Sequence, residues 1–238
     1  MNRELRKIVA IPMQINELIL ELIFPKRCVE CHKPGEFVCF DCVSRISKIF
    51  TFTCQKCGKI TQSGQYCSSC RGSIELTGVM VACDYNSGPT KEIIHHLKYS
   101  GFVDLSEILG ELLVERIKKS NKRNFVVVPV PMDSKKEVER GFNQSELIAR
   151  YISKKLGFKG GLALLKTKKT KPQMKLKRRE RLKNLKGVFV CDDKKLVAGK
   201  NILLVDDVMT TGATLDECAK VLRKAGARQV WGAVVAKG

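Results

Sequence analysis

The 238-residue sequence contains no apolar run long enough to cross a membrane. Its first 25 residues lack a signal-peptide cleavage pattern, so its eleven cysteines are expected as thiols in a reducing cytoplasm rather than as disulfides. Low-complexity linkers are missing too. Acids are scarce: 24 Asp and Glu stand against 44 Lys and Arg, and the formal charge of +20 favours polyanionic partners such as nucleic acid or phosphorylated metabolites. Aromatic residues make up 6% of the chain, and none falls between Lys166 and Lys186, where eleven cations accompany the single acid Glu180. Base stacking is therefore not what that segment offers, whereas electrostatic contact with several phosphates is.

What is present divides into three parts. Ile8, Ile11, Ile15, Leu18, Ile19 and Leu22 recur at helical spacing, interrupted by Gln14, Asn16, Glu17 and Glu21, so residues 1–23 read as an amphipathic helix that docks on the rest of the protein. Residues 24–72 hold eight of the cysteines. From 73 to 238, apolar strands alternate with helices. Strands are expected at Val79–Cys83, Phe125–Val130, Leu162–Leu165, Val188–Val190, Ile202–Val205 and Val230–Val235. Helices are expected at Thr90–Tyr99, Leu105–Lys119, Gln144–Leu156 and Thr214–Lys224. This alternation predicts an α/β fold with a mainly parallel sheet covered on both faces. Ligands of such sheets bind beyond the carboxyl ends of the strands, so the loops after Val130 and Val205 are the places to look for chemistry.

The cysteine segment contains four C-x-x-C knuckles, at Cys28/Cys31, Cys39/Cys42, Cys54/Cys57 and Cys67/Cys70. Each knuckle supplies two thiolates to a tetrahedral ion, so eight ligands match two Zn2+. The short intervals favour pairing neighbouring knuckles, with interleaved pairing left open. Four thiolates fill the coordination shell and leave no place for an activated water, which makes both ions structural. Cys83, Cys191 and Cys218 read as buried or incidental thiols. The adjacent His95 and His96 point to different helix faces and do not form a shared metal site.

The stretch Asn201–Leu215, NILLVDDVMTTGATL, is a buried strand, two acids, a small-residue turn and a helix start. A turn over Thr210, Thr211, Gly212, Ala213 and Thr214 can direct backbone N–H groups and hydroxyls at a phosphate held on a helix N-terminus. Asp206 and Asp207 stand where carboxylates accept hydrogen bonds from ribose hydroxyls. A second loop follows Val130 and Pro131, where prolines restrict the backbone, and leads to Lys135, Lys136 and Arg140 before Asn143 caps the next helix.

The Asn201–Leu215 string resembles the phosphoribosyl pyrophosphate signature of class I phosphoribosyltransferases. That resemblance implies that Asp206 and Asp207 hold the ribose and Thr210–Thr214 the 5-phosphate, with the Val130–Arg140 loop on pyrophosphate and Mg2+ bridging it. Purine-salvage members carry an aspartate where this chain has Thr210, which argues against hypoxanthine or guanine as acceptor. The order PVP, RGFNQ, KPQ, RLKNLKGVF and DDVMTTGAT behind paired knuckles resembles the ComF/ComFC family of late competence proteins. It implies a zinc module joined to a phosphoribosyltransferase-like domain, acting on imported single-stranded DNA at the inner face of the cytoplasmic membrane during natural transformation. A competence helicase or recombination mediator is an implied partner. The segment with Lys168, Lys169, Lys171, Lys175, Lys177, Arg178, Arg179 and Arg181 falls where class I enzymes carry a mobile loop, and these cations are the candidates for strand binding. Two other functions stay open: a phosphoribosyltransferase acting on a small nucleophile or nucleobase, and a zinc-dependent adaptor with a vestigial pocket.

Overall fold

A computed structural model describes residues 25–72, 74–168 and 185–238. The expected helix over 1–23 lies outside the described residues, as does most of the basic segment.

The cysteine region builds the same small unit twice. In each, an isolated antiparallel bridge, Arg27 with Pro34 and then Thr53 with Ile60, shapes the first knuckle. A short helix then starts directly after the third cysteine and carries the fourth. These helices are α1 (Phe40–Ser44), with Cys42, and α2 (Ser68–Arg71), with Cys70.

The larger unit is a five-stranded, wholly parallel sheet. Its strands are β1 (Gly78–Asp84), β2 (Phe125–Pro129), β3 (Lys159–Gly160), β6 (Asn201–Met209) and β7 (Gln229–Lys237), in the order β1-β7-β6-β2-β3. Side chains alternate between faces at period two, and both faces are apolar, so each must be covered. Met80, Leu203, Val205, Trp231 and Val235 face one layer. That layer comprises α3 (Thr90–Tyr99), α4 (Leu105–Lys119) and α6 (Gln144–Leu156). Val81, Ile202, Leu204, Val230 and Val234 face the opposite layer, which contains α8 (Ala213–Lys224).

The strands expected at 162–165 and 188–190 do not enter the sheet. They pair with each other as an antiparallel ribbon, β4 (Leu164–Lys166) and β5 (Phe189–Cys191), whose outward Leu165 and Val190 are exposed. A sheet strand needs two covered faces, and these have one. Phe189 and Leu164 turn inward against α8, and the Glu217 carboxylate accepts from the Gly187 N–H at 2.9 Å. Two short helices complete the chain, α5 (Ser134–Arg140) and α7 (Lys194–Val197).

The cysteine region lies along the outer edge of β1. Val79 N–H donates to Gly64 O at 2.9 Å, and Ile49 N–H donates to Ala82 O at 2.8 Å. At this seam, backbone meets backbone: a Cβ on Gly78 would stand 2.6 Å from both Gln65 Cα and Gly64 O, so only glycine fits. Arg116 of α4 secures the stretch between the two cysteine clusters. It donates to Phe50 O and Thr51 O, both at 2.8 Å, and its guanidinium carbon sits 3.5 Å from the centre of the Phe52 ring. Burial lowers its pKa to about 10, still charged at neutral pH, and the two carbonyls and the ring face partner the guanidinium while its buried Nε makes no hydrogen bond.

Candidate functional site

The cysteines gather as neighbouring knuckles: Cys28, Cys31, Cys39 and Cys42 in one set, Cys54, Cys57, Cys67 and Cys70 in the other, with all sulfurs of a set within 4.8 Å of one another. Cys31 and Cys39 Sγ are 3.6 Å apart, and Cys57 and Cys67 Sγ 3.7 Å. A tetrahedron with Zn–S bonds of about 2.3 Å has edges of about 3.8 Å, so both sets fit the ion. Burial raises the Cys28 and Cys54 thiols, but nearby backbone N–H groups outweigh it and bring each down to about 6, favouring thiolate at neutral pH. Each set offers four cysteine ligands, the number that a structural zinc site takes. Cys83 and Cys218 are fully buried and stand outside these sets, as expected, while Cys191 is half-buried.

The turn over residues 210–214 sits between β6 and α8. Ladder pairing carries β6 past Val205 to Met209, opposite Lys237 of β7, so the acids belong to the strand itself. Gly212 then takes φ 78°, a left-handed turn that a side chain would strain, and α8 begins at Ala213. Asp206, Val208, Met209 and residues 210–215 enclose a small concavity of about 40 Å3 at the N-terminus of that helix. It has room for a phosphate group and little more.

The two acids, adjacent on β6, have different anchors, one on α6 and one on α3. Asp206 Oδ1 accepts from Ser145 Oγ at 2.9 Å and from the Asp207 N–H at 3.0 Å. Ser145 is held at the start of α6 by Asn143. The Asn143 Oδ1 accepts from the Ser145 N–H, and its Nδ2 donates to Val130 O at 3.1 Å. Asp207 turns the other way, 4% exposed, into an ion pair with Lys98 of α3. Burial and the charge of Asp207 raise the Asp206 carboxyl to about 7, against the Ser145 hydroxyl and the Lys98 charge. For Lys98, burial alone would lower the ammonium, yet attraction to Asp207 and then Asp206 holds it above its ordinary value.

The structure thus brings Asp206 and Thr210–Thr214 to one concavity and places Asp207 behind it. Val130 spends its N–H on Val205 O and its carbonyl on Asn143, so its main chain stays within the fold; Pro131 follows without a donor. Arg140 ends α5, donates to Gln144 Oε1 and lies 5.4 Å from the Tyr99 ring centre, which ties α3, α5 and α6 together. Lys168 is exposed beyond β4. Lys169, Lys171, Lys175, Lys177, Arg178, Arg179 and Arg181 lie outside the described residues. His95 is exposed and His96 half-buried, stacked on Phe102 with ring centres 5.7 Å apart.

Two contributors escape a reading of motifs alone: Lys98 and Ser145. Lys98 stands four residues after the buried Ile94, on the inward row of α3, and a lysine in such a row signals a buried acid. Lys166 of β4 lies 4.0 Å from Asp133, the N-cap of α5. Burial lowers its ammonium, and the charge of Asp133 opposes that shift.

A larger cavity, of about 330 Å3, shares Thr210–Ala213 with the small concavity and extends toward the second cysteine cluster. Gln55 and Lys56, the two residues enclosed by the Cys54/Cys57 knuckle, line it with Tyr66, Ile74, Asp216 and Lys237. Asp216 Oδ1 accepts from the Glu75 N–H at 2.8 Å, pinning the approach to β1 onto the first turn of α8.

Residues 105–238 match the phosphoribosyl transferase domain family, and residues 19–71 match the double zinc ribbon domain. Over 223 residues the chain is 30% identical to competence protein F of Haemophilus influenzae, covering 88% of this chain and 96% of that protein. It is 32% identical over 202 residues to competence protein ComFC of Bacillus subtilis, covering 82% of this chain and 81% of that one. It is also 31% identical over 224 residues to DNA utilization protein YhgH of Escherichia coli K12, covering 88% and 97%. Among the described residues, no helix is long and apolar enough to cross a membrane.

Proposed function

Since the chain belongs to the ComF/ComFC family, with a double zinc ribbon ahead of a phosphoribosyl transferase domain, we propose that it binds a ribose 5-phosphate unit at residues 206–214 while handling imported single-stranded DNA. One observation carries this reading: Asp206 stands at the rim of a phosphate-sized concavity on the N-terminus of the twelve-residue α8. The helix end supplies positive potential and N–H donors for the phosphate, and the carboxylate supplies an acceptor for a sugar hydroxyl. The relatives are named for competence and DNA utilization, and a charge of +20 suits a polyanionic strand.

Calorimetric titration with ribose 5-phosphate and with phosphoribosyl pyrophosphate plus Mg2+ tests the pocket. Above about pH 7, where Asp206 is ionised, wild-type protein binds both, and Asp206→Asn weakens both about tenfold, the loss of one hydrogen bond to a charged acceptor. Equal affinity in wild type and variant would remove Asp206 from the site. Strand binding is tested by its salt dependence, since each neutralised phosphate adds about −0.7 to the slope of log K against log salt. A slope near zero would sink the electrostatic part.

The retained phosphate concavity also favours a second reading, transfer of the phosphoribosyl group. In that reaction the bond from the anomeric carbon to pyrophosphate breaks, a nucleophile's lone pair forms the new bond, and the nucleophile's proton leaves to a base. Mg2+ would neutralise the departing pyrophosphate. Pyrophosphate release across ammonia and nucleobase acceptors supports this; silence across the panel counts against it. The adaptor reading, with a helicase or recombination mediator as partner, predicts that stripping zinc abolishes partner capture while strand binding survives.

A further inference from the structure

The phosphate turn is shared by two cavities of very different size. The one bearing Asp206 has about 40 Å3, whereas the one on the side of the second cysteine cluster has about 330 Å3, within the range of small-molecule sites. A ligand that ends in a phosphate monoester fills the first and leaves the second to water.

The walls of the larger cavity have a specific chemistry. Lys56 and Lys237 bring two ammonium groups, from the knuckle and from the end of β7, to a space floored by residues 210–213. Two cations near a helix N-terminus favour an anion that continues past the first phosphate. The Tyr66 ring and Ile74 supply apolar surface, and the Tyr66 hydroxyl lies 3.9 Å from where a Cβ on Gly212 would stand. Gln55 and Asp216 add polar groups suited to a base edge. Charge for a backbone, apolar surface for a ring and polar groups for an edge together describe a nucleoside unit.

From the two cavities meeting at one turn, we propose that the phosphate held at 210–214 is a diester. The nucleoside whose 5′ oxygen it carries sits toward Asp206, and the preceding nucleoside occupies the 330 Å3 cavity. This rests on the ribose 5-phosphate reading above and gives it a polarity. Asp206 accepts from a free sugar hydroxyl, and within a DNA strand only the terminal 3′ hydroxyl is free. The site therefore takes the 3′ end of a single strand, with the chain leaving past Lys56 and Lys237. A pyrophosphate-linked dinucleotide shares the chemistry of two nucleosides joined through phosphate.

The test uses the zinc-loaded full chain at fixed low salt and compares ribose 5-phosphate, thymidine 5′-monophosphate, the dinucleoside monophosphate TpT, TpT capped with a 3′ phosphate, and ADP-ribose. TpT is expected to bind at least about tenfold more tightly than thymidine monophosphate, one charge-assisted contact's worth. The 3′ phosphate should abolish that gain, and so should Lys56→Glu or Lys237→Glu. Both variants are checked for two zinc ions per chain, so that a collapsed ratio is not mistaken for a collapsed knuckle. If ribose 5-phosphate and the monophosphate bind but TpT gains nothing, or if its gain survives both charge reversals, the larger cavity is not a nucleoside subsite. A gain for ADP-ribose without one for TpT overturns the strand assignment, and tight binding of the capped TpT overturns the polarity. Failure of every ligand to bind overturns the ribose 5-phosphate reading as well.

Discussion

Replacing Lys98 by methionine isolates the contact that holds Asp207 behind the pocket. Lys98→Met leaves the Asp207 carboxylate, 6% exposed, without its cation. Breaking a buried ion pair from one side costs about 3–5 kcal/mol. Because the Lys98 side chain is 21% exposed, some solvent reaches the pair, and the lower end of that range, about 3 kcal/mol, is expected. For a chain of this size each 1 kcal/mol moves Tm by about 2–4 °C, so the fall should be roughly 6–12 °C. Asp207→Asn loses the same contact and leaves an inward-facing lysine. The double variant removes both charges and should recover at least about 1.5 kcal/mol relative to the sum of the singles. Thermal melts and urea unfolding of all four proteins, with zinc content matched, read this coupling. If the single effects simply add, the pair is not a coupled unit and the account of Asp207 fails.

The Asp206 carboxyl, raised to about 7, keeps its proton in the folded chain where the unfolded chain, near 3.9, has lost it. Stability from this group is therefore fully present below about pH 4 and is lost as pH rises to about 7. Asp206→Asn should remove that slope, gaining on wild type between pH 5 and 8 in urea midpoints; parallel profiles would refute it. Arg116→Leu strands two backbone carbonyls and abandons the Phe52 ring, and a loss of about 2–4 kcal/mol in urea unfolding is expected. A change under 1 kcal/mol would mean the stretch between the clusters is secured elsewhere. Metal analysis should find two zinc ions per chain. Serine at Cys42 should lower that to one without touching the second set, and one ion in wild type would reject the two-site arrangement.

Much of this fold was legible where one periodicity dominates. Helices α3, α4 and α6 begin and end at the expected residues because each carries an unbroken apolar stripe. The neighbouring-knuckle arrangement follows from short chain intervals, which bring those thiols together at little entropic cost. Helix α5 was not foreseen because none of its residues is buried, so it leaves no stripe in the sequence, and only the Asp133 cap betrays it. The β4–β5 ribbon has the composition of sheet strands, and its exclusion depends on a packing partner, α8, that local pattern does not reveal. Within the candidate site, the turn and the helix start can be read from Thr210–Thr214 alone. The separation of Asp206 from Asp207 needed Ser145 and Lys98, 61 residues upstream of Asp206 and on a different helix, respectively. The motif assigns both acids one role, and only the anchors distinguish them.

The seam between the cysteine region and β1 makes metal occupancy a matter of solubility as well as shape. Gly64 and Ile49 occupy main-chain groups on the outer flank of β1, the strand at one edge of the sheet, whose other flank pairs with β7. Withdrawing zinc frees the outer flank, and an uncovered flank is a template for any extended chain, including another copy of itself. Bound zinc would therefore guard this strand as well as shape the cysteine region, and chelation is expected to promote self-association.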